Sequence, residues 1–264
     1  MPTISIKKKY FYELLGKTLS DQEFEDHCFD FGLELEEDKE SEENIKVELP
    51  ANRYDLFCVE GLAVAFRDYL ELKGNQQYKA LAPNHTLTVE ESVKQVRPVG
   101  VAAIIRDVTF TQESYESFID FQDKLHHNLG RKRTLVSIGT HDYDKTSPPY
   151  FYRAKKREDF SFVPLNQVKE MNGSEMLEFY KKDLNLKPYV SIIEDSEVVP
   201  LIMDSKDNIL SMPPIINSDL SKIDLNTKNI FIDITATDKT KALFALNVIC
   251  ACFSIYSKTP CVFE

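Results

Sequence analysis

Leu210-Ser211-Met-Pro213-Pro214-Ile-Ile-Asn217-Ser-Asp219, followed after ten residues by Ile230-Phe-Ile232-Asp233-Ile234-Thr235-Ala-Thr237-Asp238, is the stretch on which the fold turns. Paired prolines fix two φ angles and remove two backbone donors, which excludes an ordinary central strand and predicts a rigid loop at a sheet edge. In the second half, apolar and polar residues alternate. Successive strand side chains point to opposite faces, so Ile232 and Ile234 fall on one face and Asp233, Thr235 and Thr237 on the other. A carboxylate and two hydroxyls then stand in a row near a loop carrying Ser211 and Asn217. The same pattern fits a solvent-facing row with Asn217 capping a turn, and alternation alone leaves both readings open.

Toward the C-terminus, residues 238–256 read as an amphipathic to fully apolar helix with Asp238 at its start, where a carboxylate suits the helix dipole. Toward the N-terminus, residues 190–203 read as two short strands around a turn at 194–196, and residues 166–185 contain a helix. Residues 134–138 form a strand that delivers Gly139-Thr140-His141-Asp142 at its end, a common way to build a site on a sheet. Thr111 caps a helix with the stripe Tyr115, Phe118, Gln122, Leu125 and Leu129. His126 and His127 lie near the end of that helix, where cationic imidazoles suit the dipole. Residues 99–108 are a β-rich run.

The first 80 residues have a different texture. A short strand over 2–6 precedes a brief helix ending at Gly16, and Ser20-x-x-Glu23 is a capping box for a helix that stops at Gly32. The acidic residues 34–43 read as an exposed connection. Pro50-Ala-Asn52-Arg53-Tyr54-Asp55-Leu56 leads into a helix over 58–72, with Asn52 or Asp55 as cap and Arg53 pairing with Asp55. Residues 74–84 read as a linker. Beyond them, strands and helices mix without regular βα alternation, so the fold class is α+β: a small N-terminal αβ module over 1–84 and a larger α+β module with a mixed sheet over 85–264.

With 264 residues, 42% of them hydrophobic and 28% charged, the chain has the composition of one large or two modest globular domains. No uninterrupted run of 18 apolar residues and no signal-peptide layout are present, which points to a cytoplasmic protein with no membrane partner. The five cysteines are too few and too irregularly spaced for a disulfide framework or a zinc site, and Cys250 and Cys252 read as buried hydrophobes. The net charge of −11 argues against a general grip on nucleic acid, and 18 acidic against 10 basic side chains in residues 1–80 put the acidity at the front. Residues 121–160 are locally basic, with Arg131-Lys132-Arg133 and Lys155-Lys156-Arg157 as either phosphate contacts or solvated turns.

Glycine-rich phosphate cradles, a Gly-x-Ser-x-Gly elbow and a His-Glu-x-x-His helix are all missing from the sequence, which disfavours those nucleotide-binding and hydrolytic chemistries. What remains is a pocket of Thr140, His141, Ser211, Asn217, Asp233 and Thr235. Such groups orient water and donate to a carbonyl, which suits hydrolysis of an already activated ester.

Met1-Pro-Thr-Ile-Ser-Ile, Phe29-Asp-Phe-Gly-Leu-Glu-Leu, Pro50-Ala-Asn-Arg-Tyr-Asp-Leu, Arg131-Lys-Arg with Ile138-Gly-Thr-His-Asp, Ser211-Met-Pro-Pro-Ile-Ile-Asn and Asn229-Ile-Phe-Ile-Asp occur in this order. Together they resemble the amino-terminal half of the phenylalanyl-tRNA synthetase beta subunit in its eukaryotic cytosolic form. The resemblance implies that residues from about 85 onward form an editing module that hydrolyses tyrosine wrongly attached to phenylalanine tRNA. It implies hydrolytic roles for Asn217, Ser211 and Thr235, and substrate binding by Asp233, Thr140 and His141. No metal or cofactor is implied in this part. ATP and Mg2+ are implied for the complete ligase, with an alpha subunit, in a heterotetramer, and phenylalanine tRNA as partners. It further implies that the acidic stretch 34–43 leaves no room for the OB-fold inserted in bacterial relatives, and that the chain stops before later modules that contact the alpha subunit and tRNA. Two rivals are a non-catalytic module that docks tRNA or the alpha subunit, and a free-standing hydrolase, which the acidic surface disfavours.

Overall fold

The computed structural model describes residues 2–36, 43–72 and 77–264. The first segment builds a small antiparallel sheet, in which β1 (Thr3–Lys7) and β2 (Glu34–Glu36) flank β3 (Asn44–Glu48). Between β1 and β2 lie α1 (Lys8–Leu15) and α2 (Asp21–Phe31). Ser20 and Glu23 form the expected capping box, and Gly16 and Gly32 close the two helices in left-handed conformation. The first three residues of the predicted acidic connection are therefore strand: Leu35 faces Val47 across the ladder, and this apolar pair gives residues 34–36 a sheet to join. The rest of that connection, residues 37–42, lies outside the described residues, as do 73–76 of the predicted linker.

Arg53 and Asp55 form the expected ion pair, 2.7 Å long. Neither Asn52 nor Asp55 caps the next helix, α3 (Val59–Tyr69), because a 3-10 turn at Tyr54–Leu56 intervenes and the Cys58 thiol accepts the Gly61 N–H instead. Within the linker region β4 (Lys79–Ala80) pairs in parallel with the last strand of the chain, Val262–Phe263.

Two sheets carry most of the strands of the larger segment. The five-stranded one is mixed and runs, in spatial order, Ile216–Asn217 (β13), Ile209–Met212 (β12), Val198–Met203 (β11), Tyr150–Lys156 (β8) and Leu87–Val89 (β5), with only β5 and β8 parallel. The other is antiparallel, with β14 (Ile230–Ala236) between β6 (Val99–Ile105) and β7 (Val136–Asp142). β9 (Ser161–Phe162) and β10 (Met171–Asn172) form a small hairpin before α5 (Gly173–Tyr180). In place of the first of two predicted strands stands a short helix, α6 (Lys187–Val190), followed by turns. There Tyr189, Val190 and Ile193 pack at helical spacing into an apolar cluster, and the Arg157 guanidinium gathers the Glu194 and Ser196 carbonyls. Arg157 is thereby committed to fold rather than to phosphate.

Thr111 caps α4 (Gln112–His127), and Asp238 caps α7 (Lys239–Phe253) by accepting the Lys241 N–H at 3.0 Å. Residues Lys239–Tyr256 are long and apolar enough, by length and composition, to cross a membrane. In this fold they are a core helix. Ala245, Ile249 and Phe253 share one apolar core with Ile232 and Ile234 of β14, Phe118 and Phe121 of α4, and Phe11, Phe24 and Phe66 of the first segment. Ile232 and Ile234 do face one way, as alternation predicts, and the opposite face of β14 carries Phe231, Asp233 and Thr235 toward the five-stranded sheet.

Candidate active site

A cavity of about 630 Å³ opens between α4, β7 and the β12–β13 hairpin, with Asp233 at its floor. Each wall has a local cause. The hairpin turns at Pro213–Ile215, where the two prolines lack the N–H a further ladder rung would need, so β13 is a short sheet edge. It aligns Ser211 opposite Asn217. Ser211 is buried, lines the cavity, and its Oγ has no hydrogen-bond partner. A buried hydroxyl without a partner costs about 1–3 kcal/mol, and this one has the cavity beside it. Asn217 donates from Nδ2 to the Thr140 carbonyl at 3.4 Å and ties the hairpin to β7.

β7 reaches further than predicted, since Gly139, Thr140, His141 and Asp142 lie within the strand rather than after it. Each finds a rung on β14, with Gly139 opposite Asp233 and His141 opposite Phe231. Alternation then separates two predicted neighbours. Thr140 turns toward α4, where its Oγ1 donates to Gln122 Oε1 at 3.1 Å, while His141 turns to the Asp233 face. β7 is an edge strand. The Ile138 N–H reaches His126 Nε2 at 2.8 Å and the Asp142 N–H reaches the Ser221 carbonyl at 2.8 Å, so alternate amides point away from β14. By the same alternation the Thr140 N–H, between them, points away from β14, and Thr140 lines the cavity.

Asp233 is enclosed except toward the cavity and accepts from His141 Nε2 at 2.8 Å, while His141 Nδ1 meets Ser221 Oγ at 2.8 Å. Gly139 allows this packing: a Cβ there would overlap Asp233 Oδ2 and crowd His141 Nε2. Gly139→Ala is accordingly expected to push Asp233 off His141 at a cost of about 1–3 kcal/mol, read as a lower denaturant midpoint at unchanged slope. A parent-like midpoint would show that the carboxylate does not need the space.

Of the six predicted residues, Thr140, Ser211, Asn217 and Asp233 line the cavity. His141 stands behind Asp233. Thr235 also lies behind the wall, its Oγ1 accepting from Arg97 Nε at 3.0 Å and its carbonyl from Arg97 Nη2 at 2.9 Å. Arg97 is wholly buried, and burial lowers its pKa to about 10. His126, expected to be a cation, is neutral. Burial first, and the charge of Arg133 second, push it well below the ordinary imidazole range, and its Nε2 serves as an acceptor. Arg133 also lines the cavity, stacked 4.2 Å over the Tyr189 ring and donating to the Pro214 and Ile215 carbonyls. Arg131 and Lys132, beside it, are exposed. Among the described residues no group of three or more His, Cys, Asp or Glu side chains is placed to hold a metal ion.

Residues 1–72 match the family model of the Phe-tRNA synthetase beta subunit B1 domain, and residues 83–245 that of the B3/4 domain. The chain belongs to the phenylalanyl-tRNA synthetase beta-subunit family. Among similar members, the phenylalanine–tRNA ligase beta subunit of Saccharomyces cerevisiae is 48% identical over 274 residues, covering 100% of this chain and 46% of the relative. That of Homo sapiens is 43% identical over 285 residues, covering 100% of this chain and 48% of the relative. This chain thus spans just under half the length of these beta subunits. An N-terminal fragment of the phenylalanyl-tRNA synthetase beta subunit from Pyrococcus horikoshii superposes with a TM-score of 0.89 at 34% identity, covering 97% of this chain and 74% of the fragment. The α+β architecture is that of the family.

Proposed function

We propose that this cavity is an editing site, which hydrolyses the ester of tyrosine wrongly attached to phenylalanine tRNA. The observation that carries the reading is that one cavity is lined by the Asp233 carboxylate at its floor and by the Ser211 hydroxyl on the hairpin. A phenol hydroxyl donates to Asp233, whereas a phenylalanine ring leaves the acceptor capacity not taken by His141 without a donor at about 1–3 kcal/mol, a selectivity of roughly 5–150-fold. The cavity volume suits an amino acid together with part of a terminal nucleoside. In this reading the Thr140 N–H and the Ser211 hydroxyl donate to the ester carbonyl as charge develops on its oxygen, and Asn217 orients water. Water attacks the carbonyl carbon, the ester C–O bond breaks, and the leaving ribose oxygen takes the proton, assisted by the neighbouring ribose hydroxyl. Thr235 takes a positioning part, through Arg97. The exposed Arg131 and Lys132 suit the phosphates of the acceptor end.

For the complete protein we propose the ligase activity of the family, with ATP and Mg2+ used elsewhere and an alpha subunit as partner. Asn217→Ala in the whole heteromer is expected to slow tyrosine release roughly 10²-fold with unchanged tRNA affinity. Parallel loss of release and of affinity would favour a docking module instead.

A further inference from the structure

Ser221, His141 and Asp233 form a hydrogen-bonded row with both links at 2.8 Å, the spacing of a nucleophilic triad. It is turned round. The serine end is sealed, with Ser221 and His141 at 0% exposure, and the carboxylate end faces the cavity. Ser221 therefore meets no substrate, and its hydroxyl has another task.

The task follows from counting protons. Among the described residues, Ser221 Oγ forms its hydrogen bond with His141 Nδ1. If the imidazole were doubly protonated, Nδ1–H would donate to Ser221, and the serine's own proton would be left without an acceptor in a dry interior. If His141 is neutral with its proton on Nε2, Ser221 donates to Nδ1, Nε2 donates to Asp233, and every proton in the row has a place. We infer that Ser221 is a positioning residue that fixes the Nε2–H tautomer of His141 and so keeps Asp233 an acceptor-only group, which recognises a donor on the substrate. The inference deepens the editing reading and rests on it for the identity of the donor, the tyrosine hydroxyl.

Without the Ser221 proton the Nδ1–H tautomer becomes available. Its Nε2 lone pair then faces Asp233, which must take up a proton or swing away. Either change spoils the acceptor toward the cavity.

Two measurements test this. Nitrogen-15 NMR of the imidazole groups in this chain reads the tautomer directly and needs no tRNA. The expected result is a neutral, Nε2-protonated His141 in the parent that shifts toward Nδ1–H or imidazolium in Ser221→Ala. A doubly protonated His141 in the parent, or an unchanged tautomer in a folded Ser221→Ala, overturns the inference. In the whole heteromer, Ser221→Ala is expected to lower the ratio of tyrosine to phenylalanine release about tenfold, with Ser221→Cys, a weaker donor of similar size, in between. Equal slowing of both substrates at a constant ratio overturns it. A parent that releases neither refutes the editing reading and leaves the NMR result to decide the role of Ser221.

Discussion

Asp233→Ala is expected to slow tyrosine release from phenylalanine tRNA roughly 10²-fold while leaving the slow release of correctly attached phenylalanine within a factor of two or three. The size follows from what is lost. The variant removes the charge-assisted acceptor for the phenol, worth about 1.5–3 kcal/mol, and also strips the sealed His141 Nε2–H of its partner. Asp233→Asn separates charge from shape. It keeps the volume beside Gly139, yet its amide has one acceptor oxygen to divide between His141 and the substrate. It is expected to fall between parent and alanine. Single-turnover release from both charged tRNAs, in the intact heteromer, is the measurement, and a parent-like tyrosine rate in Asp233→Ala would remove the carboxylate from substrate recognition.

The second large effect comes from a residue outside the cavity lining. Glu60, on α3, is completely enclosed, with Ser117 of α4 donating to Oε2 at 2.6 Å and Tyr256 donating to Oε1 at 2.7 Å. The Tyr10 hydroxyl closes onto Tyr256. Four separate pieces of chain thus meet on one carboxyl group. Glu60→Ala leaves the Ser117 hydroxyl unpaired, takes from the Tyr10–Tyr256 pair its common acceptor and opens a void, so a loss of about 3 kcal/mol is expected, a thermal midpoint lower by roughly 10 °C.

Burial is the largest cause acting on Glu60 and raises its pKa, which the Ser117 and Tyr256 hydrogen bonds only partly offset. The folded state then holds this proton more tightly than the unfolded state. The stability it contributes is full below the ordinary carboxyl range and is lost as pH rises through the raised value. Glu60→Gln is expected to be close to neutral near pH 7 and to flatten that part of the pH–stability curve. An alanine variant as stable as the parent, or a glutamine variant with the parent's slope, would show that the network does not hold the two segments together.

Much of the helical framework was legible because its signals are local. Ser20 and Glu23, Gly16, Gly32, Thr111 and Asp238 act within one turn of the elements they end or begin. The face of β14 that carries Asp233 was legible for the same reason, since alternation needs only the strand itself. What escaped depends on partners distant in sequence. The extension of β7 through Gly139 and His141 requires β14, nearly a hundred residues on, and without it a Gly-Thr-His-Asp run reads as a strand end. Ser221 sits in a connection with no periodicity. Arg97 looks like any surface arginine until Thr235 and Thr134 close over it. Lys155-Lys156-Arg157 read as a phosphate contact or a solvated turn, and the strand that leads into them showed no signal of its own, although Tyr150 stacks on Phe231 at 3.8 Å and β11 pairs with Phe151 to Lys156.

The free edge of β7 carries a further consequence, for self-association. An exposed strand edge is a template on which a second chain can add a strand, and a cavity walled by such an edge invites that error. Here His126, Asn217 and Ser221 already occupy alternate backbone groups along the edge, leaving gaps one residue long. A single small ligand can enter such a gap, whereas a polypeptide needs several consecutive rungs. The wall has room for a small ligand and no run of free rungs for an added strand.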